Sequence, residues 1–220
     1  MLGASFRSRS GVDSLRNRAY QRIKEKIVSG AIPPASLIDE KALSREMKLG
    51  YTPIREALRW LALESLVVIL PRRGTIVADL NASDLQRIYE IRQELLPFAF
   101  RLAAARATPG QILAMETYME KSNESIATGD LPELLAVGRK IQSLIIETCH
   151  NDFLVEVLER LNTQTLRYWR MERIDVPAFR KEVKQYRRIV AALKVRNQDL
   201  AARLVRGIIG GFHLAQMATI

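Results

Sequence analysis

KLGYTPIREALRWL, residues 48–61, is the stretch that decides how this chain is read. A Gly-Tyr-Thr-Pro turn runs directly into a short amphipathic helix, expected from about Thr52 to Glu64. On a helical wheel of about 100° per residue, Ile54, Ala57, Leu58 and Leu61 fall together and form a buried stripe. Thr52, Arg55, Glu56 and Arg59 fall on the other side. Pro53 costs little in a first turn, where the leading N–H groups have no helical partner. A helix held by that stripe presents two arginines, one turn apart, near its own N-terminus.

Upstream, Leu15, Ala19, Ile23 and Ile27 recur at four-residue spacing, and Ser29-Gly30 stops the pattern. AIPPASL, residues 31–37, reads as a rigid turn. Asp39 can cap a second helix whose inner side is Leu43 and Met47. Downstream the period changes. LVVIL (66–70) and TIVA (75–78) are β-branched runs joined by PRRG (71–74), which together make a hairpin. Three helices, a sharp turn before the third and a hairpin form a winged helix-turn-helix. Its third helix suits the major groove, where arginine grips guanine O6/N7 or clamps a phosphate. The hairpin tip carries Arg72 and Arg73 toward the minor groove or the backbone.

From Asn81 onward the pattern is helical throughout. A long helix is expected from Asn81 or Ser83 to about Ala107. Others follow over about 110–128, 131–149, 152–173, 178–196 and 198–217, separated by TGDLP, CHND, IDVP and RNQD. The expected fold class is therefore mainly α. A flexible tail over 1–14 and a winged helix-turn-helix over 15–80 precede an all-α bundle over 81–220.

Charge points the same way. The 220 residues carry a net charge of +10. Residues 1–80 hold 14 Lys/Arg against 8 Asp/Glu, and the other 140 hold 20 against 16. A basic excess densest in the first third favours a polyanionic partner. No apolar run approaches the roughly 20 residues that cross a bilayer, and no secretory signal is visible at the N-terminus. The single cysteine, Cys149, cannot form an intramolecular disulfide, which fits a reducing cytoplasm. Cys149-His150 superficially offers a nucleophile and a base, but adjacent helical residues point about 100° apart and do not face each other. With no paired carboxylates, phosphate loop or metal spacing, no enzyme and no cofactor are expected.

The run LSREMKLGYTPIREALRWLALESLVVILPRRGTIVADL (43–80) resembles the DNA-binding domain of GntR-type bacterial transcription regulators, and the likeness extends upstream through IVSGAIPPASLIDEKAL. The resemblance implies double-stranded DNA as partner, read by a homodimer on an inverted repeat, with Arg45, Thr52, Arg55 and the wing-tip Gly74 touching it. Where that family usually has Ser-Arg, this chain has Gly50-Tyr51, so Tyr51 stands at a position that often reads a base.

The helical remainder resembles the FCD effector domain of the FadR-like branch, through IYEIRQELLPFAFRLAAARAT (88–108) and QSLIIETCHND (142–152). Many such domains hold a divalent metal with one Asp and three His. The matching positions here are Gly138, Gln142, Tyr186 and Ile208, none a good ligand, and neither His150 nor His213 is in register. The resemblance also places Arg92 near the pocket, where the alternative is a salt bridge within the bundle. Loss of bulk at Gly138 and of polarity at Ile208 is expected to leave room for a larger or more apolar ligand. These expectations describe a regulator switched, without a metal, by a carboxylate-bearing or acyl metabolite. The alternative is a constitutive DNA-binding protein whose bundle only dimerises.

Overall fold

The structure is a computed structural model that describes residues 10–171 and 176–217. The chain divides into two compact units, Met1–Asn81 and Ala82–Ile220.

In the first unit, α1 (Ser10–Val28), α2 (Glu40–Met47) and α3 (Tyr51–Leu63) precede β1 (Val67–Leu70) and β2 (Gly74–Val77). Residues 1–9 of the expected tail lie outside the described residues. From Ser10 the chain is already helical, ahead of the Leu15 that begins the apolar spacing. Ala19, Ile23 and Ile27 are buried with Leu43, Met47, Ile54, Ala57, Leu58 and Leu61 in one core. Asp39 caps α2, its Oδ1 accepting from the Ala42 N–H at 2.8 Å. The turn into α3 is tied by Ser44 Oγ, which donates to the Leu49 carbonyl at 2.6 Å, and by Lys48 in a left-handed conformation at φ 53°. Gly50 occupies the N-cap of α3 without a side-chain hydrogen bond, so α3 starts at Tyr51, one residue earlier than expected.

β1 and β2 pair antiparallel, Val67 opposite Val77 and Leu70 opposite Gly74. The segment read as a simple turn contributes a third extended stretch. Leu37 bridges Ile76, and the Ile38 N–H donates to the Thr75 carbonyl at 2.8 Å. A single bridge between residues so far apart in the chain requires no β-branched run, so the pattern in the sequence did not reveal it.

The second unit contains α4 (Ala82–Arg106), α5 (Pro109–Lys121), α6 (Asn123–Thr128), α7 (Leu131–Glu147), α8 (Asp152–Met171), α9 (Val176–Lys194) and α10 (Gln198–Met217). No strand occurs there among the described residues. The helix expected over 110–128 is two helices broken at Ser122, whose hydroxyl donates to the Tyr118 carbonyl at 2.8 Å. Thr108 and Pro109 start α5 rather than merely ending α4, because Thr108 and Gln111 form a reciprocal capping box. α4 lies against α10, α8 and α7, and α9 lies against α10, α5 and α7. Among the described residues no helix is long and apolar enough to cross a membrane.

Candidate DNA-binding face and helical-domain cavity

α3 buries Ile54, Ala57, Leu58 and Leu61, which fixes its rotation about its axis. Tyr51, Thr52, Arg55 and Arg59 are left exposed on the opposite side, and Arg45 is exposed in the last turn of α2. The N-terminal N–H groups of α3 carry no side-chain cap, the arrangement that favours an approaching phosphate. Arg55 is not simply solvated. Its Nε donates to Glu40 Oε2 at 2.8 Å, and that carboxylate raises the Arg55 pKa from its ordinary value.

The hairpin tip is built by backbone constraint. The Arg73 N–H donates to the Leu70 carbonyl at 3.1 Å, and Arg72 takes a left-handed φ of 60°. Gly74 follows at φ 100°, and a Cβ there would lie 3.2 Å from Leu37 Cδ1, so the position requires glycine. Arg72, Arg73 and Gly74 are all exposed. Arginine at a left-handed position is disfavoured relative to glycine. Relieving that penalty of about 1–2 kcal/mol outweighs the extra chain entropy of glycine, about 0.5–1 kcal/mol. Arg72→Gly is therefore expected to stabilise the unliganded protein by about 0.5–1 kcal/mol while weakening DNA binding. If Arg72 meets only phosphate, selected and random duplexes should lose affinity in parallel. The slope of log affinity against log salt should then fall by about 1. Thermal melts and salt titrations check both halves.

In the second unit, Arg92, Gly138, Gln142, Tyr186 and Ile208 all line one cavity, together with Asn162, Trp169 and Phe179. The space open to the centres of water molecules is about 40 Å³. Gln142 Nε2 donates to the Tyr186 hydroxyl at 3.0 Å, and Trp169 Nε1 donates to the Tyr89 hydroxyl at 3.2 Å. Arg92 is 3% exposed. Its Nη1 donates to Asn162 Oδ1, and its Nε has no hydrogen-bond partner. Burial pushes Arg92 below its ordinary pKa, against the opposing pull of Tyr89, Tyr186 and Glu159. Among the described residues no carboxylate makes an ion pair with it.

Gly138 lines the cavity where the sequence reading expects lost bulk. A Cβ there would make ordinary van der Waals contact, 3.4 Å from Phe179 Cζ and 3.5 Å from Val183 Cγ2, so the Phe179 ring bounds the space beside it. The divalent metal implied for such a domain does not fit these residues. Among the described residues the lining has no carboxylate and no imidazole, and an amide and a phenol are poor substitutes.

Asn162 escaped the sequence reading although a signal was present. Leu154, Leu158, Asn162 and Leu166 run at four-residue spacing on α8, all buried, so the asparagine interrupts a core stripe. Glu40 was passed over because its partner is distant in sequence. Cys149 is buried, with its thiol pKa raised by that burial, and His150 is exposed in a left-handed conformation at φ 48°. Arg106 Nη1 donates to the Cys149 carbonyl at 2.7 Å, closing the end of α7 with structural contacts. The His213 side chain lies outside the described residues.

The model of the FCD domain matches residues 87–211, and the model of the bacterial regulatory proteins of the gntR family matches residues 15–77. An uncharacterized HTH-type transcriptional regulator of Bacillus subtilis, YdhC, is 27% identical over 84% of this chain and 84% of its own length. The HTH-type transcriptional regulator McbR of Escherichia coli is 26% identical over 84% and 85%. The solved structure of E. coli McbR/YncC superposes with a TM-score of 0.80 at 24% identity, covering 93% of this chain and 97% of that one. A GntR regulator from Rhodococcus shares the fold at a TM-score of 0.73. Neither the families nor these relatives are enzymes. The chain belongs to the gntR family of bacterial regulatory proteins, as a transcriptional regulator that joins a DNA-binding winged helix-turn-helix to an FCD effector-binding domain.

Proposed function

We propose that this regulator binds an inverted-repeat operator as a homodimer. Its operator affinity is set by a small carboxylate-bearing metabolite held by Arg92, without a metal. The observation that carries the reading is the Arg92 guanidinium, buried in the cavity wall with one neutral partner and a free Nε. A buried charge without a counter-charge is costly. A carboxylate entering the cavity relieves that cost and accepts two N–H groups in the geometry a guanidinium favours.

Size narrows the ligand. A water molecule needs roughly 10–15 Å³ of such space, so the cavity at about 40 Å³ suits a short acid better than a long acyl chain. Gln142 and Tyr186 supply hydrogen bonds, and Ile208 with Phe179 supplies an apolar wall. On the DNA side, Arg55 and Tyr51 face bases, while Arg45, Thr52, Arg59, Arg72, Arg73 and the Gly74 backbone contact the phosphates or the minor groove. Ile91 and Phe98 share one face of α4 at 47% and 49% exposure, which fits a two-fold contact through the bundle and hence a two-fold operator.

The test uses full-length protein and a duplex selected from a random pool. Sedimentation should find two chains per duplex. Within a panel of short mono- and dicarboxylates, one at about 100 times its Kd should raise Tm by roughly 5–10 °C and alter operator affinity. Elemental analysis should find no stoichiometric Zn, Ni or Mn. A panel with no effect on either Tm or DNA affinity would favour the constitutive reading, in which the bundle only dimerises.

A further inference from the structure

We propose that Glu40 is a specificity-determining positioning residue. It holds Arg55 by its Nε, so that the Nη1/Nη2 end of the guanidinium is the edge offered to a base. The proposal rests on the reading of Arg55 as a base-contacting residue.

A guanidinium has two edges that can make paired hydrogen bonds, one through Nε and one through the two Nη atoms. Glu40 Oε2 lies 2.8 Å from Arg55 Nε and so occupies the first. The remaining edge matches guanine O6/N7. The carboxylate comes from a firm base. Glu40 is in the first turn of α2, directly after the capping residue Asp39, whose hydrogen bond to the Ala42 N–H fixes that turn. The Glu40 side chain is 22% exposed and that of Arg55 is 65% exposed, so the acid stands behind the arginine rather than in front of it. Tyr51, one turn back on α3, is the other group that acts electrostatically on Arg55.

Stability alone does not account for the pair, because solvent-exposed ion pairs contribute little. An acid on a face that meets DNA also repels every phosphate, whatever the sequence. The same carboxylate therefore lowers general affinity while it restricts the arginine to one orientation, which is how discrimination is gained at the expense of tightness.

The experiment compares full-length wild type, Glu40→Ala, Glu40→Gln, Arg55→Ala and Glu40→Ala/Arg55→Ala. Each is titrated onto a duplex selected by the wild type and onto a random duplex, at one salt concentration. Glu40→Ala should bind random DNA about two- to threefold tighter and the selected duplex more weakly. The specificity ratio should fall about tenfold, within the range of one paired base contact. Glu40→Gln keeps a hydrogen-bond acceptor without the charge and should recover most of that ratio. In the Arg55→Ala background, removing Glu40 should shift both duplexes in parallel. If Glu40→Ala tightens both duplexes equally in the presence of Arg55, the positioning role is overturned while Arg55 remains a reader. If Arg55→Ala leaves selected-duplex affinity within twofold, the base-reading assignment fails and takes this proposal with it. Thermal melts of each variant separate both outcomes from loss of folding.

Discussion

Arg55→Ala is expected to weaken binding to a selected operator duplex by about 10–100-fold, and to weaken binding to random duplex by no more than about threefold. The asymmetry follows from position. The buried Ile54, Ala57, Leu58 and Leu61 set the rotation of α3, which leaves Arg55 near the middle of the exposed side. A paired contact to a guanine edge is lost with the side chain, whereas a phosphate contact is one of several and carries no sequence information. Arg59, a turn further on, supplies the contrast. If it meets phosphate, Arg59→Ala should weaken both duplexes alike and reduce the salt slope by about 1. Tyr51→Arg should change base preference at one position per half-site in a fresh selection, because it places a long cation at an exposed first-turn site. Parallel loss on both duplexes for Arg55→Ala would make Arg55 a phosphate clamp.

The first unit was more legible than the second because its signals are local. The apolar four-residue spacing of α1, the Asp39 cap, the Gly-Tyr-Thr-Pro turn and the glycine at the wing tip each act over a few residues, and the structure reproduces each of them except at Leu15, which stays exposed one turn before the core begins. What escaped is nonlocal. The Leu37–Ile76 bridge and the Glu40–Arg55 pair join residues far apart in sequence. In the bundle, periodicity located the helices but not the break at Ser122, since a hydroxyl turned onto its own helix leaves the apolar spacing intact. The cavity shows the same division. Arg92, Gly138, Gln142, Tyr186 and Ile208 were placed together through resemblance, and the structure gathers them around one space. The size of the space at Gly138 was not legible, because it depends on what the facing helix puts there. Here that is Phe179, forty-one residues away in the chain.

Replacing Arg92 together with its partner, as Arg92→Met/Asn162→Leu, is expected to abolish the response to a carboxylate while leaving the ligand-free protein at least as stable. Removing one member of a buried polar pair strands the other, but replacing both by apolar groups of similar shape is often neutral or stabilising by about 1–4 kcal/mol. Here the guanidinium makes no ion pair among the described residues and its Nε lacks a hydrogen bond, so little stabilisation is given up. For a chain of this size each kcal/mol moves Tm by about 2–4 °C, and the double variant should melt at the wild-type temperature or up to about 10 °C above it. Arg92→Met alone leaves Asn162 Oδ1 without its donor, at a cost of about 1–3 kcal/mol. The single variant should therefore melt below the double, and the difference measures the coupling of the two residues. Both variants should bind a selected duplex within twofold of wild type without ligand, since the substitutions leave the exposed face of α3 untouched. Neither should show the ligand-dependent rise in Tm. A double variant that melts several degrees below wild type would make Arg92 a structural element of the bundle. A retained carboxylate response would move the effector to other residues of the cavity.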